Sequence, residues 1–316
     1  MEQEELIIWV YLWVCEETAA LQEQWPKGRI RRGGYAPALS DEEALTIELC
    51  GEMFRHPTDK SIVGFFQTHY RSWFPHLKDR SAFARQVASL WQVKQQLAQR
   101  LLHAHQVQEA YVQSVDTLPL PVCAKARRHR DRVFKGVAAL GFCAAKDLFY
   151  YGFKLGLRVC ERGFIVHHAL LDAPTNDCRH LPTLVEGMGA PCALADDDGV
   201  RLVPVDKGFF DPTAWRILIR QGAHIVGRGP KKVDKHRPLE LRLSSWLEKM
   251  CAQARKRVEV VGALLCGRFA LDHIRVHDLW HFEHRLNRKI LAFNLLVAAN
   301  LTLGRPPLDL DGLVRD

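Results

Sequence analysis

No two of the nine cysteines form a CxxC pair; they stand at 15, 50, 123, 143, 160, 178, 192, 251 and 266. A zinc ribbon is therefore excluded, and scattered thiols in a chain of 316 residues point to a reducing, cytoplasmic setting. A secretory leader is missing too. The first residues, MEQEELIIWVYLWVCEE, begin acidic and lack a basic region, and their apolar middle stops at Glu16 and Glu17, too short to span a bilayer. No membrane partner is expected. Internal repeats and low-complexity segments are absent, so neither a repeat array nor a disordered tract is expected. Gly227 to Gly229 lacks the strand-to-helix context of a phosphate-binding glycine loop, and no Cys or Ser has His and Asp partners by motif.

What remains is an ordinary globular composition, 47% hydrophobic and 25% charged, long enough for two domains, one of them small. The net charge of +8 is concentrated in four runs: KGRIRR (27–32), KARRHRDRVFK (125–135), GRGPKKVDKHR (227–237) and ARKR (254–257). One such run is usually a solvated face. Four beside element boundaries favour a polyanion, with Arg29, Arg31, Arg32, Arg127, Arg128, Arg130, Lys231, Lys232, Arg255 and Arg257 as the contacts to a nucleic-acid backbone.

Residues 1–107 read as a helical N-terminal domain. A helix over 3–24 ends at Trp25-Pro26, Ser40 and Glu43 make a capping box, and one long helix is expected near 80–106. From 110 the texture changes. Residues 133–174, rich in β-branched and aromatic residues and broken by glycines, read as two or three antiparallel strands. A short helix (HLPTLVEGMG), a strand (VRLVPVD), a helix (TAWRILIRQG) and a strand (AHIVGRG) follow, and 239–303 is helical again. The expected class is mixed α/β: a catalytic domain over 108–303 with C-terminal helices, then a tail over 304–316.

In YVQSVDTLPLPVC (111–123), Tyr111, Val112 and Val115 favour a strand that Pro119 and Pro121 should end, leaving Asp116 at the break. Two readings are open: a carboxylate shaping a turn, or a metal ligand at a strand end. Asp206 repeats the placement, closing the strand-like VRLVPVD before a Lys-Gly turn, whereas Asp196 to Asp198 precede their strand and read as a solvated turn. On the following helix Glu259 stands four residues after Arg255, either as an exposed ion pair or as a third acid. Two aspartates and a glutamate are the hard oxygen ligands that a pair of Mg²⁺ ions needs for phosphoryl transfer. His273, His277, His281 and His284 recur at helical spacing, but the first and third would lie roughly 12 Å apart along a helix axis, so the stripe reads as packed or phosphate-facing rather than a zinc site.

FPHLKDRSAF (74–83), VDTLPLPVC (115–123), GFCAAKDLFYYGFKL (141–155), DKGFF (206–210), RKRVE (255–259) and HDLWHFEHRLNRKILAFNLL (277–296) occur in consistent order. In these motifs the chain resembles bacterial insertion-sequence transposases of the DDE superfamily, and within it the nine-eighty-two insertion-sequence family. The resemblance implies an RNase H-like core with a mixed sheet, preceded by a helical DNA-binding domain. It implies Asp116, Asp206 and Glu259 as the catalytic, metal-holding triad, with two Mg²⁺ ions that Mn²⁺ replaces. It implies terminal inverted repeats and target DNA as partners, a homodimer on paired ends, and cleavage with strand transfer through no covalent protein–DNA intermediate. Relatives carry Tyr three residues before the Arg and Lys seven after the Glu; Ala252 and Cys266 stand there, with Arg268 as the substitute DNA contact. A nuclease of the same fold without strand transfer, and a DNA-binding protein that has lost catalysis, are the alternatives. Glu248 and Glu283 are the next candidates should Glu259 not be the third acid.

Overall fold

The computed structural model describes residues 1–24, 37–107, 110–143, 147–188, 201–220, 222–227 and 245–314. The chain divides into two units, Met1–His105 with Leu265–Asp316, and Gln106–Leu264.

The first unit is helical: α1 (Gln3–Gln24), α2 (Asp41–Met53), α3 (Asp59–His69), α4 (Arg80–Ser89), α5 (Trp91–Ala104) and, from the far end of the chain, α9 (Leu279–Thr302). The capping box at Ser40 and Glu43 is formed, each side chain meeting the other residue's backbone N–H. The single helix expected near 80–106 is broken at Leu90, whose backbone leaves the helical range while its side chain is fully buried. The break lets α4 pack on α2 and α5 on α9. α9 is buried along most of its length and packs on α2 and α5, so it is part of this unit, whereas the sequence grouped it with 108–303.

α2 and α9 are joined by charge as well as by apolar packing. Glu48 and Glu52 of α2 are fully buried, as are Arg288 and Lys289 of α9 and Lys94 of α5. Arg288 donates to Glu52 and to Asp59 at 2.6 Å each, and Lys289 donates to Glu52 at 2.6 Å. Burial alone would push the Asp59 carboxyl up, but Arg288 and Arg285 hold it down at about 2. His284 is buried against Lys94, and burial followed by that neighbouring charge pushes its imidazole down to about 4. Ions this deep are tolerated because each carboxylate meets cations directly. His273 and His277 precede α9 and are exposed, so the four histidines share no helical face.

The second unit is built on a mixed sheet. β1 (Gln113–Ala124) pairs antiparallel with β3 (Leu148–Cys160), and the other edge of β3 pairs with β2 (Ala139–Cys143) along one half and β4 (Ile165–Asp172) along the other. β5 (Arg201–Pro204) and β6 (Ala223–Val226) are parallel to each other, and a parallel bridge from Val112 to Leu202 joins them to the start of β1. The resulting order, β4–β3–β1–β5–β6, is the RNase H-like arrangement expected from the resemblance. β1 does not end at its prolines. Pro119 and Pro121, two apart, turn their missing N–H groups to the same side, and only the first residues of β1 have β5 beside them, so no ladder there loses a donor.

Side-chain alternation along β1 serves two layers. Val115 joins Leu181, Leu184, Val203, Val205, Phe209 and Leu218 in a core under α6 (Asp177–Val185) and α7 (Pro212–Arg220). On the opposite face Val112 packs with Leu202, Cys251 and Ala254 under α8 (Ser245–Gly267).

Candidate active site

The bridge between Val112 and Leu202 fixes a parallel register of 202 − 112 = 90 residues. Ser114 keeps it, donating from its hydroxyl to the Pro204 carbonyl at 2.9 Å. Two residues further along, the same offset sets Asp116 level with Asp206, on neighbouring strand paths that run about 4.8 Å apart. Asp116 is the fourth residue of a twelve-residue strand rather than its end, and Asp206 lies just past β5, at the start of the short turn Lys207–Phe209.

α8 supplies the third acid by crossing close to β1. Gly262 faces Leu118, so near that a Cβ at 262 would stand 2.8 Å from Leu118 Cδ2. Leu118 shares a strand face with Asp116, and Glu259 precedes Gly262 by three residues, one helical turn. With Ala254 packed near Val112 and Gly262 against Leu118, the segment between them, which carries Arg255 and Glu259, runs past Asp116. A glycine in an otherwise apolar helical pattern signals such an approach, and the sequence offered that clue.

The charges agree with this placement. Asp116 is half-buried and accepts one backbone hydrogen bond, from the Thr117 N–H at 2.8 Å. Its carboxyl is pushed up to about 6, chiefly by burial; the Thr117 N–H pulls it back, and the negative charges of Asp177, Glu259 and Asp206 each add a smaller upward push. Asp206 and Glu259 are exposed, and Asp206 pairs with Arg255 at 3.0 Å. Asp177, in the first turn of α6, was not anticipated from sequence. It pairs with Lys154 of β3 at 2.8 Å and lies beside the turn that follows Asp206, since a Cβ on Gly208 would stand 3.7 Å from its carboxylate. Nothing in ordinary helix-start chemistry around Asn176 and Asp177 marks it as different from any first-turn acid.

Among the described residues no three His, Cys, Asp or Glu side chains stand close enough to enclose one ion. The three acids nevertheless suit a hard divalent cation: every candidate donor atom is a carboxylate oxygen, and burial, with smaller pushes from the neighbouring acids, raises Asp116, a cost that a bound cation would offset. Glu248 is an exposed residue of the first turn of α8, and Glu283 is an exposed residue of α9.

Of the cations expected to meet DNA, Arg127, Arg128 and Arg130 lie in a 3-10 turn over Lys125–Arg130 that follows β1 and buries none of its residues. Arg255 and Arg257 are half-buried on α8, the first paired with Asp206. Arg268 belongs to the other unit and is buried, bonded to Asp311 and to the Met53 carbonyl; it is a packing residue there rather than a replacement for the missing lysine. Arg29, Arg31, Arg32, Lys231 and Lys232 lie outside the described residues. No helix among the described residues is long and apolar enough to cross a membrane.

No curated protein matches the sequence significantly. Among solved structures, that of a piggyBac transposase synaptic complex with hairpin DNA is similar at a TM-score of 0.47 and 10% identity, over 95% of this chain and 75% of that one. The model of one family, described as the transposase DDE domain, matches residues 106–277, which is more than half of the chain. The matched segment opens before β1 and closes beyond α8, so it takes in the whole mixed sheet and all three acids of the site; the chain belongs to the DDE transposase family.

Proposed function

We infer that the protein is a DNA transposase of the insertion-sequence type, similar to the nine-eighty-two family, that cuts DNA at the ends of its element and joins them to target DNA. The observation that supports this reading is that three acids from separate segments share one neighbourhood: Asp206 follows β5 in register beside Asp116 of β1, and Glu259, on the helix that passes close to β1, is near enough for its charge, like that of Asp206, to act on Asp116. Asp116, Asp206 and Glu259 would hold two Mg²⁺ ions, or Mn²⁺ in their place. When bound, such ions activate the attacking water or 3′-hydroxyl and stabilise the leaving oxygen.

The chain's own part is to position and to balance charge. Arg255 neutralises Asp206 while no ion is present, and it sits one turn from Glu259, placed to turn to a phosphate once Asp206 is engaged elsewhere. The exposed cations of Lys125–Arg130 supply sequence-independent contacts to the DNA backbone. Recognition of terminal inverted repeats falls to the helical N-terminal region, with pairing of two ends in a homodimer in the cytoplasm.

The test is cleavage and strand transfer on DNA carrying candidate element ends, with Mg²⁺ or Mn²⁺. Asp116→Asn, Asp206→Asn and Glu259→Gln keep shape and remove charge, so each abolishes cleavage and joining while leaving duplex binding in place. Double variants should be little worse than singles, because groups acting as one unit are lost together. Full activity in Asp116→Asn would remove the site; cleavage without joined products in the unaltered protein would leave a nuclease instead.

A further inference from the structure

At the free end of the β2–β3 hairpin two phenylalanines face solvent. Phe142 and Phe149 are directly opposite in the ladder, their ring centroids are 4.8 Å apart at 44°, and they are 45% and 48% exposed. Leu148 beside them is 52% exposed. Nothing about the sheet demands large apolar groups there, since the core-facing residues lie further along β3. Lys125 holds its ammonium over the Phe149 ring, 4.3 Å from its centroid, so the exposed pair has a cation at its side.

The surroundings are strongly basic. Residues 125–135, KARRHRDRVFK, carry six cations and one acid, a formal +6 − 1 = +5. The one acid, Asp131, is turned to the local backbone, accepting from the Val133 and Phe134 N–H groups. Among the described residues none of the six cations has an ion-pair partner, and all but Arg128 are exposed outright. The segment is fixed to the sheet rather than left to wave: Phe134 is buried against Phe153 in an edge-to-face contact and its carbonyl accepts from the Tyr151 hydroxyl at 3.3 Å. An aromatic pair and a positive field are thus held together on one rigid platform.

We propose that Phe142 and Phe149 form a stacking platform for unpaired DNA bases, with the 125–135 cations holding the adjoining phosphates. The chemistry selects this partner. A paired duplex offers phosphates but hides its base faces, a second copy of this chain would bring the same positive charge into contact with itself, and only an unpaired strand presents π-faces and negative charge at single-nucleotide spacing. The inference rests on the DNA reading given above and adds to it: a DNA end would be held with its terminal bases splayed onto the hairpin.

The experiment places 2-aminopurine at the terminal position of a duplex whose last three bases are mismatched, with a fully paired duplex of the same sequence as control. The unaltered protein should bind the mismatched end more tightly and quench the reporter by stacking. Phe149→Leu, which keeps an apolar side chain and removes the ring, should weaken binding to the mismatched end about tenfold and abolish the quenching, with paired-duplex affinity and melting temperature unchanged. Phe149→Tyr should restore both. Equal affinity of the unaltered protein for the two ends, or quenching that survives in Phe149→Leu, overturns the platform, as does a change in sedimentation showing that the ring mediates self-association. Failure to bind either duplex at low salt would instead overturn the DNA reading itself, so the two ideas fail separately.

Discussion

Asp116→Asn should make the metal-free protein more stable while destroying its activity. The carboxyl of Asp116 is raised from an ordinary 3.8 to about 6 by burial and by Asp177, Glu259 and Asp206. An acid whose folded value exceeds its unfolded one binds the extra proton in the folded state between the two values. Stability therefore falls as pH rises from about 4 to about 6, and the cost is fully present above that. At ~1.4 kcal/mol per unit the shift corresponds to about 3 kcal/mol, and partial solvent access trims this to about 1–3 kcal/mol. Asparagine keeps the acceptor for the Thr117 N–H and removes the charge, so at pH 7.5 in a chelator the variant should melt a few degrees higher. At pH 4 the two proteins should converge. Added Mg²⁺ should raise the melting temperature of the unaltered protein and leave the variant almost unmoved, because a ligand stabilises only the state that binds it. Thermal melts at four pH values with and without Mg²⁺ suffice. Identical melting at pH 7.5 in chelator would refute the idea that the Asp116 charge is held at a cost by burial and by the neighbouring acids.

Two further outcomes follow from the packing. Gly262→Leu should push α8 off Leu118, carrying Glu259 away from Asp116, and lower the cleavage rate at least tenfold at a stability cost of about 1–3 kcal/mol; Gly262→Ala should be milder, because only the tip of Leu118 must give, and equal rates for both would show that Glu259 does not depend on this approach. In the helical unit, Arg288→Met should cost about 3–5 kcal/mol in urea unfolding, since Glu48, Glu52 and Asp59 all lose a buried partner; a loss under about 1 kcal/mol would mean that water reaches these acids.

The strands that carry the candidate aspartates were more legible in the sequence than their setting. The 90-residue separation of Asp116 and Asp206 is the register of two parallel strands, set by Val112 beside Leu202. The antiparallel strands after residue 133 and the capped start of α2 follow local rules that hold without tertiary context. Other features depend on what lies alongside. Pro119 and Pro121 end a strand only if a neighbour needs their N–H, and beyond the first residues of β1 its β5 edge has none. Leu90 breaks a continuous helical pattern because two different helices compete for the faces on either side of it. Asp177 and Arg268 are the same kind of miss in opposite directions: an acid with no local signature drawn to the site by α6, and a cation near the end of α8 drawn into the interior by Asp311 and the Met53 carbonyl.

The charge clasp between α2 and α9 also sets an order of events on the ribosome. Glu52 and Arg288 are 236 positions apart, so at about 5–20 residues per second the acid waits on the order of 10–50 s for its cation. In that interval α1 to α5 are completed and Lys94 of α5 can pair with Glu48, but Glu52 still lacks the α9 cations that justify its burial, while the whole sheet unit, its two aspartates included, has time to form. The helical unit thus closes last, with the arrival of α9, and a nascent chain acquires its sheet site before it acquires a settled helical one.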